Sequence, residues 1–228
     1  MKRFILIFVG LLCFTLLSAL PAYSDSLFQK AKSGDAEAQF NLGICYLNGE
    51  GVRQDYNEAF RWFKAAAEQG DAKAQNNIGI CYLNGEGVKL DYNEAFRWFK
   101  AAAEQGNAEA QFNLGECYYN GRGITQDYNE AFLWYKAAAE QGLASAQYAL
   151  GLCYIRGKGV KQDYNEAFRW FKAAAEQGHA NAQYNLGVCY YNGEGTKQDY
   201  NEAFRWFKAA AEQGITEAQY WMGDCYYE

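Results

Sequence analysis

The chain has 228 residues, half of them hydrophobic and 18% aromatic, with 23 glycines and a single proline. That balance excludes a disordered or collagen-like chain and suits a packed, helix-rich one. The net charge is −6 and the pI about 5.0, with no basic run beyond the first residues, so neither nucleic acid nor an anionic membrane surface is an expected partner.

In chain order, Lys2 and Arg3 precede an apolar run from Phe4 to Leu20, followed by Pro21 and the small residues Ala22 and Ser24. Residues 1–24 read as a secretory signal cut after Ser24. An uncleaved anchor is the other reading, because the run is near the minimum spanning length. Cleavage implies a mature chain from Asp25, periplasmic or secreted, with no membrane association. Residues 25–34 follow the pattern of the closing half of a helix and are expected to cap what comes next.

From there one spacing dominates. Cys45, Cys81, Cys117, Cys153, Cys189 and Cys225 lie 36 residues apart each time. A fixed period of this size means a solenoid of stacked supersecondary units, here 35–70, 71–106, 107–142, 143–178, 179–214 and a partial 215–228. The first phrase of each unit, AEAQFNLGICYLN from Ala36, sets Ala38, Leu42 and Cys45 on one helical stripe and stops at Gly49 and Gly51. The second, DYNEAFRWFKAAAEQG from Asp55, recurs letter for letter at Asp91, Asp163 and Asp199; the copy at Asp127 differs in Leu133 and Tyr135. Asp55 followed by Glu58 predicts a reciprocal capping box. Asn57, Arg61, Lys64 and Glu68 form a polar outer face, and Gly70 supplies the stop. The alanines at 65–67 and Gly43 predict close approach of the two helices.

The pattern from Ala38 to Gly70, with its Leu-Gly, Tyr, Gly-x-Gly-Val, Asp, Trp and Ala-Ala positions, resembles the Sel-1-like repeat, a relative of the tetratricopeptide repeat. The resemblance covers Asp35 to Glu228. It implies an all-α fold, a right-handed α-α superhelix of helix-turn-helix repeats, whose first helices line a concave side. It also implies a scaffold or adaptor that contacts other proteins. Some cysteine-rich relatives have been labelled β-lactamases and pair two cysteines within a repeat; here each unit has one.

The first helices carry most of the variation between units. Position 40 reads Phe40, Asn76, Phe112, Tyr148, Tyr184 and Tyr220; position 44 includes Glu116 and Asp224; position 47 includes Tyr119 and Tyr191. Asn41, Asn77, Asn113 and Asn185 form a series that Ala149 and Trp221 interrupt. Aromatic anchors among polar groups suit an extended peptide; a glycan or peptidoglycan fragment is the alternative ligand, since aromatic faces with Asn side chains also suit sugars. The candidate groove residues are therefore Phe40, Asn41, Asn77, Phe112, Asn113, Glu116, Tyr119, Tyr148, Arg156, Tyr184, Asn185 and Tyr191. Packing between adjacent first helices is the alternative role for the rings and the Asn series. Arg156, in an Asn position beside Lys158, receives a carboxylate or is one more solvated charge. At the far end Tyr220, Trp221, Met222, Cys225 and Tyr226 present an apolar face, which acts either as an atypical cap or as a surface for self-association.

Nothing in the pattern points to chemistry. Ser26, Ser33 and Ser145 do not begin an S-x-x-K spacing. His179 is the only histidine and falls at a repeat junction, where a surface position is expected. No C-x-x-C or H-x-x-x-H pair marks a metal site. No catalytic residue, cofactor or metal is expected. The cysteines read as small buried core residues too far apart for a ladder of disulfides, because stacked helices sit ~8–10 Å apart and a disulfide needs Cα atoms within ~7 Å. Cys225 is the exception that could cross-link two chains.

Overall fold

The computed structural model describes residues 23–225, so the secretory-signal reading of residues 1–24 and the terminal Tyr226 fall outside or almost outside it. Among the described residues there are twelve helices and no strand. They are α1 (Asp25–Lys32), α2 (Ala36–Asn48), α3 (Tyr56–Glu68), α4 (Ala72–Asn84), α5 (Tyr92–Glu104), α6 (Ala108–Asn120), α7 (Tyr128–Glu140), α8 (Ala144–Arg156), α9 (Tyr164–Glu176), α10 (Ala180–Asn192), α11 (Tyr200–Glu212) and α12 (Thr216–Asp224). Each helix packs on the one before and the one after it, which makes an all-α solenoid of helix pairs rather than one central core.

Three recurring contacts explain why the repeat keeps its letters. The first is a ring seated on a glycine. A Cβ at Gly43, Gly79, Gly115, Gly151 or Gly187 would lie 2.5–2.7 Å from the ring of Phe63, Phe99, Tyr135, Phe171 or Phe207 on the second helix of the same repeat. Only a residue without a side chain admits the ring, and Phe63, Phe99, Phe171 and Phe207 are completely buried there.

The second is a glutamine ladder. Gln39 Nε2 donates to the Ala31 carbonyl of the preceding helix at 3.1 Å, and Gln69 Nε2 donates to Gln39 Oε1 at 2.7 Å. Gln75, Gln111, Gln147 and Gln183 repeat the arrangement with Gln105, Gln141, Gln177 and Gln213. These glutamine side chains on the first helices are buried, so each satisfied amide removes a desolvation penalty while fixing three successive helices in register.

The third is the connector. Gly49 takes φ +75°, and the Gly49 and Glu50 N–H groups both donate to the Cys45 carbonyl, closing α2. The predicted capping box is only half made. Asp55 Oδ1 accepts from Asn57 N and Glu58 N, but the Asp55 N–H donates to the Tyr46 carbonyl at 2.9 Å. Glu58 instead pairs with Arg61 at 3.3 Å. The same holds for Asp91, Asp127, Asp163 and Asp199, whose N–H groups reach Tyr82, Tyr118, Tyr154 and Tyr190. A contact back to the first helix has taken the donor that a local motif would have used.

Cys45, Cys81, Cys117, Cys153 and Cys189 are buried between helices, and Cys225 is half-buried. Burial pushes the thiols of Cys81, Cys117 and Cys189 up to about 12, which leaves them uncharged and unreactive near neutrality.

Candidate binding face

The face of the first helices opposite the Ala38–Leu42–Cys45 stripe is half-buried rather than open. The rings of Phe40, Phe112, Tyr148 and Tyr184 each lean on the seated ring of their own repeat, with centroids 5.8–6.0 Å apart. Each ring is half-buried in this way, and Tyr148 is also stacked on His179. Tyr220, at the same position in α12, is 72% exposed.

The Asn series divides. Asn113 Nδ2 donates to Asn76 Oδ1 at 2.9 Å, and Asn76 Nδ2 donates to Glu109 at 3.4 Å. Asn76 is almost fully buried, so the unit that lacks a ring at position 40 replaces it by a polar link between repeats 2 and 3. Burial raises the pKa of the Tyr148 hydroxyl, and the nearby Arg156 and Asn185 act against that rise. Asn41 and Asn77 are half-buried on their helices. Asn41 also borders a shallow hollow beside α1 with Lys30 and Asp35. Another hollow, between Tyr46, Arg53, Asp55 and Gly87, lies at a connector and contains none of the predicted groove residues.

Repeats 3 and 4 carry a denser cluster. Tyr135, the one tyrosine in a seat otherwise filled by Phe, donates its hydroxyl to Glu116 Oε1 at 2.5 Å. Asn120 Nδ2 donates to the other oxygen of Glu116 at 3.0 Å. Burial, and then the Glu116 charge, push the Tyr135 hydroxyl far above its usual range, so it remains a donor. Tyr119 stands over Tyr128 at 5.1 Å and Tyr135 at 6.3 Å. Arg156 Nη1 donates to Tyr119 Oη at 3.4 Å, and Lys158 Nζ donates to Tyr128 Oη at 3.0 Å. Further along, Tyr191 packs on Tyr200 and Trp221 and donates to Asp224 Oδ2 at 3.0 Å.

Glu116, Tyr119 and Arg156 come together around Tyr135, on whose ring Phe112 also leans, and Asn113 joins Asn76, while Phe40, Asn41 and Asn77 lie on the first helices of repeats 1 and 2. Sequence reasoning missed Asn76, Tyr128 and Tyr135 as members. Tyr135 was visible as a departure in the same unit as Glu116, and matching the two would have found the pair. His179 corrects a surface expectation. It is half-buried, its ring stacks on Tyr148 at 4.7 Å, and its Nδ1 accepts from Ala182 N at 3.2 Å as the N-cap of α10. Burial holds its pKa below 6.5.

Among the described residues no group of His, Cys, Asp and Glu is arranged to hold a metal ion, and no helix is long and apolar enough to cross a membrane.

The Sel1 repeat pattern matches at residues 36–71, 72–107, 108–143, 144–179, 180–215 and 216–228. The chain belongs to the Sel1 repeat family. Among solved structures it is similar to c5321, a protective antigen of uropathogenic Escherichia coli with an SLR fold, at 41% identity and a TM-score of 0.82. That match covers 87% of this chain and 43% of the antigen, so the chain spans less than half of that relative. A Sel1 repeat protein from Oxalobacter formigenes is 34% identical with a TM-score of 0.76, over 85% of this chain and 83% of that one. The immunity protein Pa5087 from Pseudomonas aeruginosa, 22% identical with a TM-score of 0.54 over 82% of this chain and 71% of that one, shares the fold. No curated protein matches the chain. Sel1 repeats are in general a scaffold fold for protein interaction rather than a catalytic one.

Proposed function

We propose that this protein is an exported, non-catalytic scaffold that binds an extended segment of a partner protein along its first helices. The observation that carries the reading is where the repeats differ. The glycine seats and glutamine ladder recur in every full unit, whereas positions 40, 44 and 47 of the first helices change from unit to unit. Packing demands explain the constancy; a ligand with its own sequence explains a graded face of half-open rings, amides and charges. The α-solenoid suits such a ligand, since each repeat adds a strip to one extended surface.

A photo-cross-linking residue placed at Asn77, and separately at the outer position Lys172, tests this in intact cells. The groove reading expects a protein adduct from Asn77 and none from Lys172. Adducts from Lys172 alone would move the function to the second helices. An Asn77 adduct removed by added peptidoglycan fragments would favour the glycan ligand.

A further inference from the structure

Resting on the peptide-groove reading, we propose that Arg156 and Lys158 form a carboxylate-binding anchor at the junction of repeats 3 and 4, taking an acidic side chain or the C-terminal carboxylate of the bound segment.

The argument begins with what those two positions hold elsewhere. In repeats 1, 2 and 5 they are Asn48 and Glu50, Asn84 and Glu86, and Asn192 and Glu194. There the Asn Nδ2 donates to the Glu carboxylate at 2.9, 3.5 and 3.5 Å. Each loop closes on itself with a charge of −1. Repeat 4 replaces both partners at once by cations, giving +2, a swing of three charges on a chain whose net charge is −6.

The two cations are positioned by neutral groups. Arg156 donates to the Tyr119 hydroxyl. Lys158 donates to the Tyr128 hydroxyl, with its ammonium 4.2 Å from the Tyr128 ring centre and 5.0 Å from that of Tyr119. Rings and hydroxyls orient a cation without neutralising it. By contrast Arg61, Arg97, Arg169 and Arg205 on the second helices each face a glutamate, and among the described residues no ion pair includes Arg156 or Lys158. Glu116, three residues before Tyr119 on α6, is the carboxylate that reaches this cluster through the Tyr135 hydroxyl. Its two oxygens are already engaged by Tyr135 and Asn120.

Position relative to the groove completes the case. Arg156 follows Tyr148 by eight residues on the same helix, and its charge acts on the Tyr148 hydroxyl. It is exposed, and a guanidinium carries five N–H donors of which Tyr119 takes one. The free fork matches a carboxylate bidentately, while Lys158 adds a point charge beside it. The Tyr119–Tyr128 pair recurs in repeat 5 as Tyr191 on Tyr200, so what sets this junction apart is the pair of cations, Arg156 and Lys158, placed against the tyrosines.

The test uses the full chain and three fluorescein-labelled twelve-residue peptides that alternate a polar residue with Leu or Tyr. One carries Glu and an amidated end, one Gln and an amidated end, and one Gln with a free C-terminus. Binding is read by anisotropy for the wild type, for Arg156→Asn with Lys158→Glu, and for Asn77→Arg as a groove block, each with an unchanged melting profile. The proposal expects one or both carboxylate-bearing peptides to bind at least about tenfold more tightly than the amidated Gln peptide. That preference falls to about one in the Arg156/Lys158 variant and weakens as salt rises. Preference for the free C-terminus alone identifies a terminal carboxylate; preference for Glu identifies a side chain. Equal binding of all three peptides, or a preference that survives in the Arg156/Lys158 variant, overturns the anchor. If Asn77→Arg still abolishes binding in that case, the groove reading stands without it. Failure of all three peptides to bind the wild type overturns both.

Discussion

Repeats 3 and 5 have the same second helix but for two residues, and comparing them shows what permits a change. In repeat 5 the Phe207 ring fills the seat made by Gly187, next to Val188. In repeat 3 the seat of Gly115 holds Tyr135, and the residue in the place of Val188 is Glu116. The hydroxyl has appeared where a carboxylate has appeared, 2.5 Å away. Arg156 and Lys158 likewise replace an Asn–Glu bond together and find Tyr119 and Tyr128, and Asn76 replaces a ring and finds Asn113 and Glu109. The glycine seats and the glutamines, which meet the same neighbour in every unit, do not vary; Glu116 with Tyr135, and Arg156 with Lys158, change in pairs, whereas Asn76 changes alone beside an Asn and a Glu that other units also carry. Leu133, 56% exposed in place of an arginine, is the exception that nothing in the structure explains.

The largest effect that would break this comparison is at the glycine seats. Gly151→Ala puts a Cβ 2.6 Å from the buried Phe171 ring. Overpacking costs ~1–3 kcal/mol, only partly offset by the ~1 kcal/mol of helix propensity that alanine gains over glycine. Gly223 in α12 has no atom within 4 Å of the corresponding point, so Gly223→Ala is expected to leave stability unchanged or raise it. Urea titrations should therefore place Gly151→Ala below wild type and Gly223→Ala at or above it, and equal shifts would show that the seat does not constrain the fold.

A smaller effect sharpens the contrast between repeat 5 and the others at their junctions. Asp35, Asp71 and Asn107 cap the first helices of repeats 1 to 3 with an oxygen, whereas His179 uses Nδ1, which accepts only when unprotonated. Its folded pKa lies below the ordinary 6.5. Between those values the unfolded chain binds more protons than the folded one. The contribution is therefore full above pH 6.5 and is lost as pH falls from there through the folded value. His179→Asn should flatten the dependence of melting temperature between about pH 7 and about pH 5 relative to wild type. Parallel curves would remove His179 from the account.

The period, the helix pairs and the close approach at Gly43 were legible because each follows from spacing or residue size within one unit. The rest depended on partners distant in sequence. Gln39 and Gln69 recur faithfully, yet their bond spans 30 residues and no helical pattern announces it. The capping box at Asp55 is a sound local inference defeated by the Tyr46 carbonyl, which the connector brings into reach. At the candidate face, Glu116, Tyr119 and Arg156 were found singly, but their grouping required Tyr128 and Tyr135 from the second helix, whose repetition, broken in repeat 3 only at Leu133 and Tyr135, drew attention to packing alone.

The claim that departures are coupled replacements is tested most directly by a double-mutant cycle that returns repeat 3 to the residues of repeat 5. Glu116→Val alone strands the buried Tyr135 hydroxyl, and Tyr135→Phe alone removes the donor from the half-buried Glu116 oxygen. Each is expected to cost ~1–3 kcal/mol in urea unfolding. Combined, they rebuild a seat the chain already uses, and the double variant should lie within ~0.5 kcal/mol of wild type, a strongly non-additive result. A double variant whose loss equals the sum of the two single losses would contradict the coupling.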